Sequence, residues 1–157
     1  MFKFYEVGGK VRDEILGLQS KDVDYVAVPN EALLEKYSEA HEMFVVLENY
    51  LLGQGFEIFL STPNCYTIRA KFPKEHQYEG VADFVMARKE IGYVTGTRTP
   101  IVKPGTLYDD LERRDFTLNA LAKDEDGTII DYFNGLNDLG DKILRTPLPT
   151  EITFNDD

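Results

Sequence analysis

Several things are scarce in this sequence, and each scarcity excludes something. Its one cysteine, Cys65, cannot form an internal disulfide, and a lone thiol without partner ligands is a poor start for a zinc site. A buried or half-buried side chain is expected there. No apolar run approaches the roughly 20 residues of a membrane-spanning helix, because Phe44 to Leu60 is interrupted by Glu48, Asn49, Gln54 and Glu57. A signal peptide is also missing after Met1, so a cytoplasmic protein is expected. Positive charge is short as well: 17 Lys and Arg face 28 Asp and Glu, giving a net charge of −11. Tight RNA binders carry a basic face that displaces counterions from phosphates, so this chain by itself is expected to hold RNA weakly. Internal repeats, low-complexity tracts and long Gly, Pro or Ser linkers are absent too. Residues 1–157 therefore read as one domain.

What is present alternates between strand-like and helix-like segments. Phe2 to Val7 reads as a strand, Gly8-Gly9 as a tight turn, and Val11 to Leu16 as a helix ended by Gly17. Val23 to Val28 is a strand that stops at the turn Pro29-Asn30. From Ala40 the apolar residues Met43, Phe44, Leu47, Tyr50 and Leu51 recur at helical spacing, and Gly53 closes that helix. Phe56 to Leu60, Tyr66 to Phe72 and Val81 to Ala87 read as further strands. Gly92 to Thr106, with three glycines and two prolines, reads as a long surface loop. Asp115 is placed to cap a helix from Phe116 to Ala122, and Asp126-Gly127 turns the chain into Thr128 to Tyr132. A short helix near Leu136 to Leu139 and a strand near Ile143-Leu144 follow. The expected class is α/β or α+β, a mixed sheet of about five strands flanked by helices.

Chemistry concentrates at a few places. In Asp22-Val23-Asp24 the period-2 geometry of a strand points both carboxylates the same way, an unfavourable pairing unless a cation joins them. Magnesium prefers such oxygen ligands, commonly one or two carboxylates together with substrate phosphates. Gly8 and Gly9 lie between a strand and a helix, where backbone N–H groups can approach a phosphate, although taken alone a plain strand-to-helix turn accounts for them better. Arg12 offers a positive charge to a triphosphate, or an ion pair to Asp13 or Glu14. Asp83 interrupts the apolar strand Val81 to Val85, as a third metal ligand or as a water-facing residue of an edge strand. Arg113 and Arg114 precede Asp115 and Asn119, which a helix would set one turn apart to face a ribose, with the arginines reaching phosphate.

Five blocks in this order resemble the class II tRNA nucleotidyltransferase and bacterial poly(A) polymerase family. They are Val7 to Asp13 with Leu16-Gly17; Asp22-Val23-Asp24; Ala82-Asp83-Phe84 with Ala87 to Glu90; Pro104 to Leu107 with Asp110-Leu111 and Arg113 through Ala122; and Asp131 to Gly135 with Asp138-Leu139 and Ile143 to Arg145. The resemblance implies a catalytic head domain that transfers NMP from an NTP, ATP or CTP, to an RNA 3′-hydroxyl and releases pyrophosphate. Addition of the CCA end of tRNA is the leading expectation, with polyadenylation as the alternative. It implies two magnesium ions on Asp22 and Asp24, with Asp83 as a third catalytic carboxylate. The triphosphate would lie on Gly8, Gly9 and Arg12, and Asp115 and Asn119 would contact ribose or phosphates with Arg114 nearby. Members continue into neck, body and tail domains that select the base and bind tRNA, and the head ends near Asp157. Two other classes stay open. One is a non-catalytic module of a split enzyme that relies on a partner chain, and the other is transfer to a protein or small molecule.

Overall fold

The structure, a computed structural model, describes residues 1–18, 23–114 and 116–140. Its centre is a mixed sheet built from β1 (Phe2–Val7), β2 (Val23–Pro29), β3 (Glu57–Thr62), β4 (Thr67–Lys71) and β5 (Val81–Met86). Two short strands, β8 (Ala122–Lys123) and β9 (Ile129–Ile130), extend it to the order β3-β4-β5-β2-β1-β8-β9. The expected sheet of about five strands is therefore present, with a two-strand fringe. Among the described residues only β2 and β5 pair in parallel, and the long connection between them carries α2 (Glu31–Lys36), α3 (Ala40–Gly53), β3 and β4.

Side-chain alternation divides the sheet into two faces. On one, Tyr25, Ala27, Ile68, Ala70, Phe84 and Met86 meet α3, which buries Ala40, Met43, Phe44, Leu47 and Leu51, positions three or four apart on one helical stripe. The opposite face carries a smaller cluster in which Val7, Val26 and Ala87 pack against Leu107 and Leu111 of α4 (Leu107–Leu111). This second face is only partly covered, and the polar residues Asp24 and Asp83 sit on it.

Four expectations need correction. First, Gly92 to Thr106 is not one loop. β6 (Arg88–Tyr93) and β7 (Pro100–Pro104) form an antiparallel hairpin, the prolines falling at the ends of β7 where a missing N–H costs least. Second, α4 sits where no helix was expected, started by a capping box in which the Thr106 hydroxyl accepts from the Asp109 N–H and Asp109 accepts from the Thr106 N–H. Replacing Thr106 with Ala should lower unfolding free energy by about 1 kcal/mol, read by guanidinium denaturation. Third, Phe116 to Ala122 is not an α-helix. Only the 3₁₀ turn Thr117–Asn119 forms, because Phe116 is extended and the buried Thr117 hydroxyl donates to Asp138 Oδ2 at 2.6 Å in α5 (Gly135–Gly140). That tertiary bond outweighs local helix propensity. Fourth, Cys65 is exposed, since it ends the 3₁₀ turn Pro63–Cys65 beside the edge strand β3.

Asn30, read as part of a turn, is the N-cap of α2 and accepts from the Leu33 N–H at 2.9 Å. The expected strand near Ile143-Leu144 lies outside the described residues. No helix among the described residues is long and apolar enough to cross a membrane.

Candidate active site

The site begins where β1 ends. Val7, Asp24 and Asp83 form one line across β1, β2 and β5, since Val7 pairs with Asp24 and Asp24 pairs with Asp83. Adjacent strands in a sheet lie about 4.8 Å apart, and residues in register share a face. Asp24 and Asp83 consequently sit side by side, and they line one cleft of about 290 Å³ together with Arg69. Asp22 lies outside the described residues.

Asp83 is not on an edge strand, because β5 runs between β4 and β2. It is partly exposed all the same, through the open face of the sheet. Sequence reasoning missed its partner. Arg69 is opposite Asp83 on β4, with Nη1 3.8 Å from Oδ2. Both side chains are substantially exposed, so this ion pair is weak and can yield to a cation that offers shorter bonds. The available signal was Arg69 between Ile68 and Ala70, a charge on the alternate face of an apolar strand.

Gly8 follows directly, with φ of +73°, a conformation that favours glycine. A Cβ added there would stand 3.5 Å from Asp24 Oδ2, so the turn backbone comes close against the carboxylate. Next along α1 (Gly9–Ile15), a Cβ on Gly9 would stand 3.4 Å from Arg12 Nη2. Arg12 Nη1 donates to Asn119 Oδ1 at 3.1 Å, and its Nη2 is 3.2 Å from Asp13. Four of the residues singled out in the sequence, Gly8, Gly9, Arg12 and Asn119, thus form one group beside Asp24. Asp115 lies outside the described residues. Arg114 is not in this group. It pairs with the buried Asp110 at 3.0 Å, in a separate cavity beside Arg88 and Arg113.

An ionic cluster, buried at Glu6 and Lys10 and more open at Glu14 and Lys123, holds the glycine turn in place, and its links to Lys123 were not legible in the sequence. Glu6 of β1 meets Lys10 of α1 at 3.4 Å and Lys123 of β8 at 2.9 Å. Lys123 also reaches Glu14 at 2.8 Å, and Lys10 bonds Glu14 as well. Burial alone would raise the Glu14 pKa, but hydrogen bonds from Lys10 and Lys123 outweigh it and hold the carboxyl below its ordinary range. Burial would lower the Lys123 pKa, but its bonds to Glu14 and Glu6 outweigh that and raise it. These pairs tie both ends of the Gly8-Gly9 turn to the sheet.

Two carboxylates in register, open to solvent and flanked by a cation and a glycine turn, suit a hard divalent cation that also binds phosphate oxygens. Among the described residues no group of three or more His, Cys, Asp or Glu could hold a metal. Asp24 and Asp83 are the described carboxylates that could hold such a cation.

A family model of the poly(A) polymerase head domain matches residues 4–145. A tRNA-processing enzyme solved with CTP is 32% identical, with a TM-score of 0.65 over 99% of this chain and 35% of its own. A tRNA nucleotidyltransferase solved with a primer tRNA and an incoming ATP analog is also 32% identical, with a TM-score of 0.62 over 99% of this chain and 38% of its own. The CCA-adding enzyme of Bacillus stearothermophilus, solved with CTP, is 27% identical, with a TM-score of 0.69 over 99% of this chain and 32% of its own. The chain spans about a third of the length of these solved relatives.

Proposed function

We propose that this chain, which belongs to the poly(A) polymerase head-domain family, transfers a nucleotide from CTP or ATP to the 3′ end of tRNA. Nucleotidyltransferase chemistry comes with the family. The substrate and the residue roles are our reading. The observation that carries it is the register of Asp24 with Asp83 beside the Gly8 turn, which sets carboxylates for a cation next to backbone able to receive phosphate.

In this reading the RNA 3′-hydroxyl oxygen attacks the α-phosphorus of the NTP in line. A new P–O bond forms as the bond to pyrophosphate breaks, and the hydroxyl proton leaves to solvent. Magnesium, when bound, lowers the hydroxyl's pKa and stabilises charge on the attacking and leaving oxygens. Asp22, Asp24 and Asp83 are the carboxylates that hold it. Gly8 and Gly9 let the backbone approach the triphosphate, and Arg12 adds a fixed positive charge. Asn119, oriented by its bond to Arg12, and Asp115 hold the ribose or phosphates. Positioning and electrostatics do nearly all the catalysis. The scarcity of basic residues fits a head that depends on RNA contacts outside this chain, and the reaction is assigned to the cytoplasm.

The test incubates the purified chain with magnesium, each labelled NTP in turn and tRNA lacking its CCA end. Addition of CMP followed by AMP is the expected product pattern. An ATP-only ladder would reassign the activity to polyadenylation. NTP binding without extension would identify a module that needs a partner chain, and failure of both binding and extension would overturn the reading.

A further inference from the structure

A cavity of about 570 Å³ opens on the α3 face of the sheet, opposite the carboxylate cleft, and takes no part in the proposed transfer. The face follows from register. Glu6 pairs with Tyr25 on β2, and Tyr25 with Phe84 on β5, one residue along from the row that holds Asp24 and Asp83. One residue of strand reverses the face. The walls are aromatic: Phe4, Tyr50, Phe56 and Tyr78 are half-buried there, with Tyr25 and Phe84 buried among them. Asp124 to Gly127, the turn between β8 and β9, completes the lining.

This cavity is short of positive charge and holds an unsatisfied oxygen. Four carboxylates, those of Glu6, Asp124, Glu125 and Asp126, line it against the single ammonium of Lys123. Lys123 is already engaged, by Glu6 Oε2 at 2.9 Å and Glu14 at 2.8 Å. Lys3 interacts with Asp124 and Glu125 but does not line the cavity. Burial lowers the His76 pKa, so that ring is neutral at neutral pH and adds no charge. Glu6 is only 7% exposed, and its Oε1 is buried with no hydrogen-bond partner. Lys10 stands 3.4 Å from that oxygen, an ion-pair distance, and directs its hydrogen bonds to Glu14 and the Tyr78 hydroxyl. A buried acceptor of this kind calls for a donor. The Tyr78 ring already attracts one cation, with Lys10 Nζ 4.6 Å from its centre.

We propose that this cavity binds a small organic cation, a protonated alkylamine with its ammonium at Glu6 Oε1 and its hydrocarbon stem along the rings. The size agrees, since small-molecule sites run from about 300 to 1,000 Å³. Other ligand classes each fail on one feature. A nucleotide or another anion is opposed by the carboxylates that line the cavity. A neutral apolar molecule leaves Glu6 Oε1 unsatisfied. A bare metal ion leaves the aromatic surface uncovered. A quaternary ammonium suits the rings and the charge but has no N–H to donate. A primary ammonium donates to the orphaned oxygen and keeps the attraction to the ring faces, while its stem covers apolar surface. The site lies on the other face from the carboxylate cleft, so it stands whether or not the transfer reaction is the one proposed.

Calorimetric titration of the full chain at low salt tests this, with cadaverine as the probe and tetramethylammonium as the comparison. Cadaverine should bind at a single site per chain, about tenfold or more tightly than tetramethylammonium, because only the amine bonds the buried carboxylate. Glu6→Gln, which removes the charge at the orphaned oxygen, should weaken cadaverine binding about tenfold. Gln54→Arg should weaken it by a similar factor without touching the core, since Gln54 is an exposed residue of the cavity wall just after α3. It carries the test if Glu6→Gln fails to fold. Nuclear Overhauser contacts from the methylenes of cadaverine to aromatic ring protons should appear in the unaltered chain and vanish in Gln54→Arg. Absence of single-site binding by the unaltered chain would overturn the proposal, as would equal affinity for the two cations. Unchanged affinity in the folded variants would also overturn it, by placing the amine on the acidic surface at large.

Discussion

Asp24→Ala should reduce magnesium-dependent nucleotide transfer by about a thousandfold or more, equivalent to roughly 4 kcal/mol of transition-state stabilisation, and leave the fold intact. The size follows from position. Asp24 is the carboxylate that faces both Asp83 across the parallel pair and the Gly8 turn. A cation bound there touches every other part of the proposed machinery. Removing the side chain withdraws one negative charge from a pair in register and half of the described donor set. The fold should tolerate the change because Asp24 is partly exposed on the less covered face, while Val23 and Tyr25 on either side carry the burial of β2. Single-turnover transfer and a thermal melt on the same preparation check both halves. Unchanged turnover would sink the assignment of this cleft as the active site.

How much of this was legible beforehand depends on where the determining contacts lie. The strands β1, β2, β4 and β5 and the helix α3 were readable because each buries one periodic face, and that period is written in consecutive residues. Gly8, Gly9 and Arg12 were readable as a motif, since a tight turn and the first turn of a helix are local. Arg69 and the links from Lys123 to Glu6 and Glu14 were not, because each depends on the tertiary arrangement and joins residues as much as 117 positions apart. The hairpin β6–β7 was hidden by its prolines and glycines, which mark loops in general and here mark strand ends and a bulge. The segment after Asp115 failed in the opposite direction. Its pattern is helical, but Thr117 and Asn119 are claimed by α5 and α1, and a tertiary bond decided the backbone.

That same segment is where the second large effect should appear. Gly135→Ala is expected to destabilise the protein by about 3 kcal/mol and to weaken nucleotide binding in whatever fraction remains folded. A Cβ on Gly135 would overlap the carbonyl oxygen of Thr117 and stand 2.9 Å from its carbon, both of them backbone atoms that no rotamer change can move aside. The glycine is also pinned from its other side. Its N–H donates to Asp131 Oδ1 at 2.7 Å, the following N–H of Leu136 donates to Asp131 Oδ2 at 3.1 Å, and Asp138 holds the Thr117 hydroxyl. Relief therefore requires α5 and the turn Thr117–Asn119 to separate. Asn119 belongs to that turn and is the residue bonded to Arg12, so a shift large enough to admit one methyl group misaligns two of the proposed nucleotide ligands. Gly140→Ala serves as the control, since among the described residues nothing beyond its chain neighbours and its own helix backbone lies within 4 Å of a Cβ there. Guanidinium unfolding with calorimetric titration of CTP separates the two effects. A Gly135→Ala protein as stable as the parent would mean that α5 and the turn are not in close contact in solution. Lost stability with unchanged CTP affinity would instead remove Asn119 from the nucleotide site.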